Sequence, residues 1–185
     1  MRVIAGSARG TKLTTLPGEE ITRPTIDRVK EAMFSAVQFQ LPGANVLDLF
    51  AGSGQLGIEA LSRGARRCLF CDQDAAAAAV VQANCRAAGV FADSKVVRME
   101  ASALLAATKE RFDLVLLDPP YRHGILQQIL PAVARVTQPG GIVLCESELE
   151  AQLPDEVEGL VLQKQYKYGT VRVSRYQKQD EEDEA

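Results

Sequence analysis

The chain has 185 residues, 46% of them hydrophobic, and a formal net charge of −3. That length suits one domain, the hydrophobic share excludes a disordered protein, and no apolar run approaches the ~18–20 residues that span a bilayer. The opening Met1-Arg2-Val3-Ile4-Ala5-Gly6 carries no signal-peptide core, so a cytoplasmic protein without membrane attachment is expected.

In chain order, the pattern predicts short extended segments at Val3–Ala5 and Lys12–Leu16, then a helix from Pro24 to about Gln38. From Asn45 onward strands and helices alternate. Strands are expected at 45–49, 67–71, 95–99, 113–117 and 141–146, with helices at 56–62, 74–88, 102–107 and 124–136. A short helical piece is expected after the fifth strand. Leu160–Tyr168 and Thr170–Tyr176 alternate around Gly169 and read as a β-hairpin. Repeated βα units with continuous apolar strands imply an α/β fold, doubly wound, with a mostly parallel seven-stranded sheet and a C-terminal antiparallel hairpin. One domain over 1–179 is expected, made of a small basic N-terminal extension and helix (1–40) and an α/β core (44–179). Like-charge repulsion in the closing acidic run makes 180–185 an expected disordered tail.

Cys68 and Cys71 form a CxxC, but Cys85, Cys145 and His123 are the only other Cys or His residues, and they lie in distant segments. No second CxxC completes a zinc site, and the apolar run Cys68-Leu69-Phe70-Cys71 reads as a buried strand. Small buried thiols and no metal are expected.

Gly52-Ser53-Gly54-Gln55-Leu56-Gly57 matches GxGxxG between a strand and a helix, and Asp72 follows twenty residues after Gly52. By spacing this is a nucleoside-cofactor fingerprint, with the acid on a ribose diol. Asp48 bears on which cofactor. A pyrophosphate at a helix N-terminus should meet N–H groups rather than a nearby carboxylate. An ammonium-bearing cofactor suits that carboxylate better, which tilts the reading toward S-adenosylmethionine without excluding a dinucleotide.

Asp118-Pro119-Pro120-Tyr121 follows the fourth strand, at the carboxyl edge where open α/β sheets bind ligands. The Asp118 carboxylate and the Pro119 carbonyl are two acceptors able to hold both hydrogens of an exocyclic NH2. Such a grip aims the nitrogen at a methyl donor. Conjugation makes that nitrogen a poor nucleophile, so positioning and stabilisation of developing positive charge carry the catalysis. Tyr121 can stack on a base, and Asp118 or water can take the proton, so His123 is not required.

The segments DLFAGSG with Asp72, and LDPPY, resemble the class I S-adenosylmethionine-dependent methyltransferases. That resemblance implies a Rossmann-like methyltransferase fold, with Asp48, Gly52 and Gly54 beside the methionine portion, Asp72 on the ribose and Phe50 among the cofactor-binding residues. It also puts Glu100 and Ala101 near the adenine, where the family more often has Asp-Ala. The DPPY motif resembles that of enzymes acting on planar amino groups: adenine N6, guanine N2, cytosine N4 or glutamine amide.

The ends of the chain are basic. Residues 1–30 sum to +3 and residues 161–179 to +5, the latter through Lys164, Lys167, Arg172, Arg175 and Lys178. A polyanion responds to such local patches rather than to the total, although ordinary solvated charges are the alternative reading. Met1–Gly6, Arg9-Gly10-Thr11-Lys12-Leu13 and Arg23-Pro24-Thr25-Ile26-Asp27-Arg28-Val29-Lys30-Glu31-Ala32-Met33-Phe34 resemble the bacterial 16S rRNA guanine-N2 methyltransferases of the RsmD type. Cys145-Glu146-Ser147-Glu148 and Tyr168-Gly169-Thr170 are similar to its C-terminal pattern. The resemblance, over Met1 to about Gln177, implies methylation of one guanine N2 in small-subunit rRNA. The substrate it implies is an assembly intermediate carrying ribosomal proteins, acted on by a monomer. The expected catalytic set is Asp118, Pro119, Pro120 and Tyr121. Arg2, Arg9, Lys12, Arg23 and Arg28 are expected on RNA phosphates, with surface pairing of Arg23 and Arg28 to Asp27 or Glu31 as the plainer reading. Rival functions are an N6-adenine methyltransferase on RNA or DNA, an NAD(P)-binding oxidoreductase, and a non-catalytic assembly factor that kept the fold.

Overall fold

The computed structural model describes residues 1–18, 24–121 and 124–180. Arg23, His123 and residues 181–185 of the expected tail lie outside them. The elements run α1 (Pro24–Ser35), β1 (Asn45–Asp48), α2 (Gln55–Ser62), β2 (Arg67–Asp72), α3 (Ala75–Ala87), β3 (Ser94–Arg98), α4 (Ala101–Ala107), β4 (Phe112–Leu117), α5 (Ile125–Val136), β5 (Thr137–Glu148), β6 (Glu156–Val157), β7 (Leu160–Tyr168) and β8 (Val171–Lys178).

The strands form one sheet in the order β3-β2-β1-β4-β5-β8-β7-β6. β1 to β5 are parallel, and β8, β7 and β6 join antiparallel. The sheet has eight strands rather than the expected seven. The segment read as a short helix after β5 instead leads to the two-residue β6, which pairs with β7; Pro154 in this segment accepts the Tyr176 hydroxyl through its carbonyl at 2.7 Å. α1 is shorter than its apolar spacing predicts. After Ser35 the chain tightens to i→i−3 bonds, Val37 to Phe34 and Gln40 to Val37.

Strand alternation splits the interior into two layers. Val46, Phe70, Leu114 and Leu144 face one layer with α1, α2 and α3; Leu47, Leu69, Val115 and Val143 face the other with α4 and α5. Cys68 and Cys85 lie in the first layer, Cys71 and Cys145 in the second, all buried as free thiols. The CxxC pair therefore points to opposite faces of β2 and cannot grip one ion.

The N-terminal extension is docked rather than loose. Arg2 bridges Lys12, and Val3 bonds both Thr11 and Gly10. This small loop lies on α2, where Glu59, fully buried, accepts the Ile4 and Ala5 N–H groups at 2.9 and 3.0 Å. Lys30 of α1, 2% exposed, reaches Glu59 at 3.5 Å and donates to the Arg2 carbonyl at 2.8 Å. Ser62 donates to the Ala5 carbonyl and accepts the Ala8 N–H, and Asn84 of α3 bonds both the N–H and the carbonyl of Thr14. Gly6 is obligatory: its φ is +87°, and a Cβ there would lie 1.9 Å from the Ser62 carbonyl oxygen.

Removing one partner of a buried ion pair typically costs ~3–5 kcal/mol. Glu59→Ala is therefore expected to lower the unfolding free energy by about that much in urea titration, and to expose the first fifteen or so residues to limited proteolysis. Unchanged stability with an intact extension would contradict the role given to Glu59.

Candidate active site at the carboxyl edge of the sheet

Chain order reverses between β1 and β4, which run side by side, and the loops after these strands make the crevice at this switch point. After β1 the backbone must turn sharply into α2. Gly52 at φ +55° and Gly54 at φ +81° supply left-handed conformations that other residues resist. Gly57 serves packing: a Cβ there would lie 2.3 Å from Phe70 and 2.7 Å from the Cys68 sulfur, so only glycine lets α2 lie this close to β2.

Two acids flank the turn. Asp48 is buried; its Oδ2 accepts the Gly57 N–H at 3.0 Å, while Oδ1, also buried, has no partner among the described residues. Burial pushes its pKa up to about 7, opposed by the Gly57 bond and reinforced by the Asp72 charge. Asp72, half-buried at the end of β2, accepts the Gly52 N–H at 3.0 Å and the Asp74 N–H at 2.9 Å. Each oxygen of a carboxylate has two acceptor sites, so these bonds orient Asp72 and leave capacity for a ligand's hydroxyls. Phe50 is half-buried against the second layer. Glu100 caps α4, accepting the Ser102 and Ala103 N–H groups at 3.2 Å each and the Ser102 hydroxyl. The Ser102 hydroxyl bond, then the backbone bonds, hold its pKa down. Ala101 is buried beside it.

Asp118 follows β4 and is half-buried, Pro119 is buried, and Pro120 and Tyr121 are exposed. The Tyr121 hydroxyl donates to Glu146 Oε1 on β5 at 3.2 Å. Burial, then the Glu146 and Asp118 charges, raise the Tyr121 pKa; burial likewise raises that of Glu146. A cavity of about 570 Å³ opens beside them, lined by Asp118, Tyr121, Glu146, Gln55, Lys30 and Tyr168 among others. That volume is within the usual range for small-ligand clefts. Gln55 Oε1, buried at the start of α2, has no partner among the described residues. A second cavity of about 280 Å³ shares Tyr121 and Glu146 as its wall.

The sequence placed Asp118 and the glycine turn together, and the structure does bring them to one edge. It adds Glu146, Gln55 and the Tyr168–Thr170 hairpin turn, for which no individual role was read. An acid at the end of the strand beside Asp118's strand was the available signal for Glu146. Among the expected phosphate contacts, Arg2, Arg9, Lys12 and Arg28 are exposed, and Arg28 forms no ion pair with Asp27 or Glu31 within 4.0 Å among the described residues. On the hairpin, Lys167 lies opposite Arg172 and Lys164 opposite Arg175. Facing like charges disfavour pairing. Tyr166 and Tyr168 stack with centroids 6.4 Å apart, and the Lys164 ammonium lies 4.9 Å from the Tyr166 ring centre. Among the described residues no group of three or more His, Cys, Asp or Glu is placed to hold a metal, and no helix is long and apolar enough to cross a membrane.

Residues 1–177 match the family described as conserved hypothetical protein 95. "Putative rRNA methyltransferase YlbH" of Bacillus subtilis is 38% identical, over 96% of this chain and 99% of that protein. Ribosomal RNA small subunit methyltransferase D of Escherichia coli is 32% identical, over 97% of this chain and 90% of that protein. The solved structure of "Putative methyltransferase yhhF" from Escherichia coli superposes with a TM-score of 0.87 at 32% identity, covering 98% of this chain and 99% of that one.

Folded Asp48 keeps its proton to about pH 7, whereas the ordinary value is 3.8. Between those values unfolding releases a proton, so rising pH destabilises the fold by up to about 1.4 kcal/mol per unit, with no further loss above 7. Asp48→Asn should therefore gain on the wild type by about 3 kcal/mol between pH 5 and pH 8. Urea denaturation of the protein alone at the two pH values measures this, and an equal gap at both would refute it.

Proposed function

The chain belongs to the family of conserved hypothetical protein 95 and ribosomal RNA small subunit methyltransferase D, and from that premise we propose that it methylates small-subunit rRNA on the N2 amine of a guanine, using S-adenosylmethionine. The observation that carries the reading is the shared edge: the glycine turn between Asp48 and Asp72 leads through Gln55 and Leu56 into a cavity of about 570 Å³ that Asp118 also lines.

The residues fit that cofactor. Asp48 carries a buried oxygen without a described partner, which an ammonium or its bound water would satisfy. Asp72 is oriented by two backbone N–H groups toward the role of ribose acceptor. Gly52 and Gly54 let the backbone approach the methionine portion, and Phe50, Glu100 and Ala101 are left for the adenine end. Glu100 would keep its cap on α4 and contribute chiefly through position. Bound there, S-adenosylmethionine supplies an electrophilic methyl group.

Asp118 and the Pro119 carbonyl accept the two amine hydrogens and fix the nitrogen for in-line attack. As the amine gains positive charge, the Asp118 carboxylate stabilises it, and the surplus proton leaves to Asp118 or water. Pro120 stiffens the turn, and Tyr121, partly exposed at the cavity wall, stacks on the base. A base can enter only when unstacked, which single-stranded loops make cheapest. Arg2, Arg9, Lys12 and Arg28, with Arg23 outside the described residues, are proposed to hold phosphates around that loop. The Lys164–Tyr166–Tyr168 row, which ends at the cavity, offers the flanking nucleotides charge and stacking surfaces. The proposed substrate is an assembly intermediate with its ribosomal proteins, bound by a monomer formed from the single domain over 1–179.

The reading is tested by methyl transfer from labelled S-adenosylmethionine to small subunits from cells lacking the enzyme, followed by nucleoside analysis. N2-methylguanosine, lost with Asp118→Ala, is expected; N6-methyladenosine would replace the proposed base. Asp72→Ala should weaken cofactor binding about ten- to a hundredfold in calorimetry, the worth of a charge-assisted hydrogen bond. Arg9→Ala should weaken RNA binding and leave cofactor affinity unchanged, and the reverse pattern would remove the extension from the RNA interface.

A further inference from the structure

Glu146 stands on β5, next to the strand that delivers Asp118. Leu117 lies opposite Cys145 in the parallel β4–β5 ladder, so Asp118 and Glu146 follow one step later on strands spaced about 4.8 Å apart. Both line the same cavity. Glu146 is half-buried, and the Tyr121 hydroxyl occupies its Oε1. A carboxylate withdrawn from water in this way is costly unless a donor meets it. Lys30, whose side chain also lines the cavity, is engaged by Glu59 and the Arg2 carbonyl.

Amino bases differ at the ring nitrogens beside the amine. Adenine and cytosine present only unprotonated nitrogens there, which repel a carboxylate; guanine presents N1–H, a donor next to the N2 amine. We infer that Glu146 is a specificity-determining residue that accepts the guanine N1–H while Asp118 and the Pro119 carbonyl hold the N2 amine. The inference rests on the guanine-N2 reading above. Its logic is that a site built around a hydrogen bond strongly rejects an analogue that lacks the donor.

2-Aminopurine supplies that analogue, since it keeps the 2-amino group but has an unprotonated N1. The experiment compares kcat/KM for small subunits reconstituted with guanosine or 2-aminopurine at the methylated nucleotide. It uses the wild type, Glu146→Gln and Tyr121→Phe, with calorimetric cofactor affinity as the check on folding. The wild type should prefer guanine about ten- to a hundredfold. Glu146→Gln should cut that preference at least about tenfold, because its amide can donate to an unprotonated N1; Tyr121→Phe should retain it. An unchanged preference in Glu146→Gln overturns the inference and leaves the guanine-N2 reading standing. So does an equal collapse in Tyr121→Phe, which would make Glu146 only an anchor for the phenol. A wild type that accepts 2-aminopurine as readily as guanine overturns it whatever the variants do. A wild type that methylates adenine, or no RNA amine, defeats the guanine-N2 reading itself and the inference with it.

Discussion

Glu59 is the charged centre at which the N-terminal extension, α1 and α2 meet. Its two oxygens take the backbone of the N-terminal extension, the Lys30 ammonium of α1 and the Arg63 guanidinium one turn along α2. A carboxylate with no exposure is tolerated only because so many donors surround it. The consequence reaches the far end of the same helix. α2 begins at the glycine turn, and α1 and the extension, fastened to α2 by Glu59, supply Lys30 and Met1 to the cavity beside Asp118. The wall of the site is thus built on a charge network on its blind side.

The acids at the open edge obey a different logic. Glu59 is saturated with partners, whereas Asp48 retains a buried oxygen with none described and Glu146 meets one phenol. Burial raises the pKa of both. These groups weaken the empty fold, and a ligand that supplies donors recovers that free energy on binding. Sites of this kind are where stability and function diverge, and here the divergence is carried by Asp48, the last residue of β1, and Glu146, within β5.

The alternating core was legible because strand periodicity and glycine punctuation are local signals. β1, β2, β4 and the β7–β8 hairpin fall within a residue or two of the pattern in the sequence. The glycine turn and Asp118-Pro119-Pro120-Tyr121 were legible because their chemistry lies in contiguous residues. Lys30 and Glu59 were not, since a Lys and a Glu on amphipathic helices read as surface charges, and only tertiary packing puts them 3.5 Å apart at full burial. β6 was missed because two residues of pairing leave no period to detect, and its partner β7 decides it. Glu146 stood in the sequence as the acid closing the fifth expected strand and as part of a family pattern; its meaning depends on β5 lying beside β4.

The placement of the four thiols gives this molecule an internal clock. Burial raises the pKa of Cys71 to about 12 and of Cys85 to about 11, and no cysteine is exposed in the folded chain. An alkylating reagent needs thiolate and access, so its rate counts openings of the structure. Cys68 and Cys85 register loss of the layer under α1, α2 and α3, while Cys71 and Cys145 register loss of the layer under α4 and α5. Peptide-resolved labelling separates the two faces of one sheet in time, without a single engineered residue.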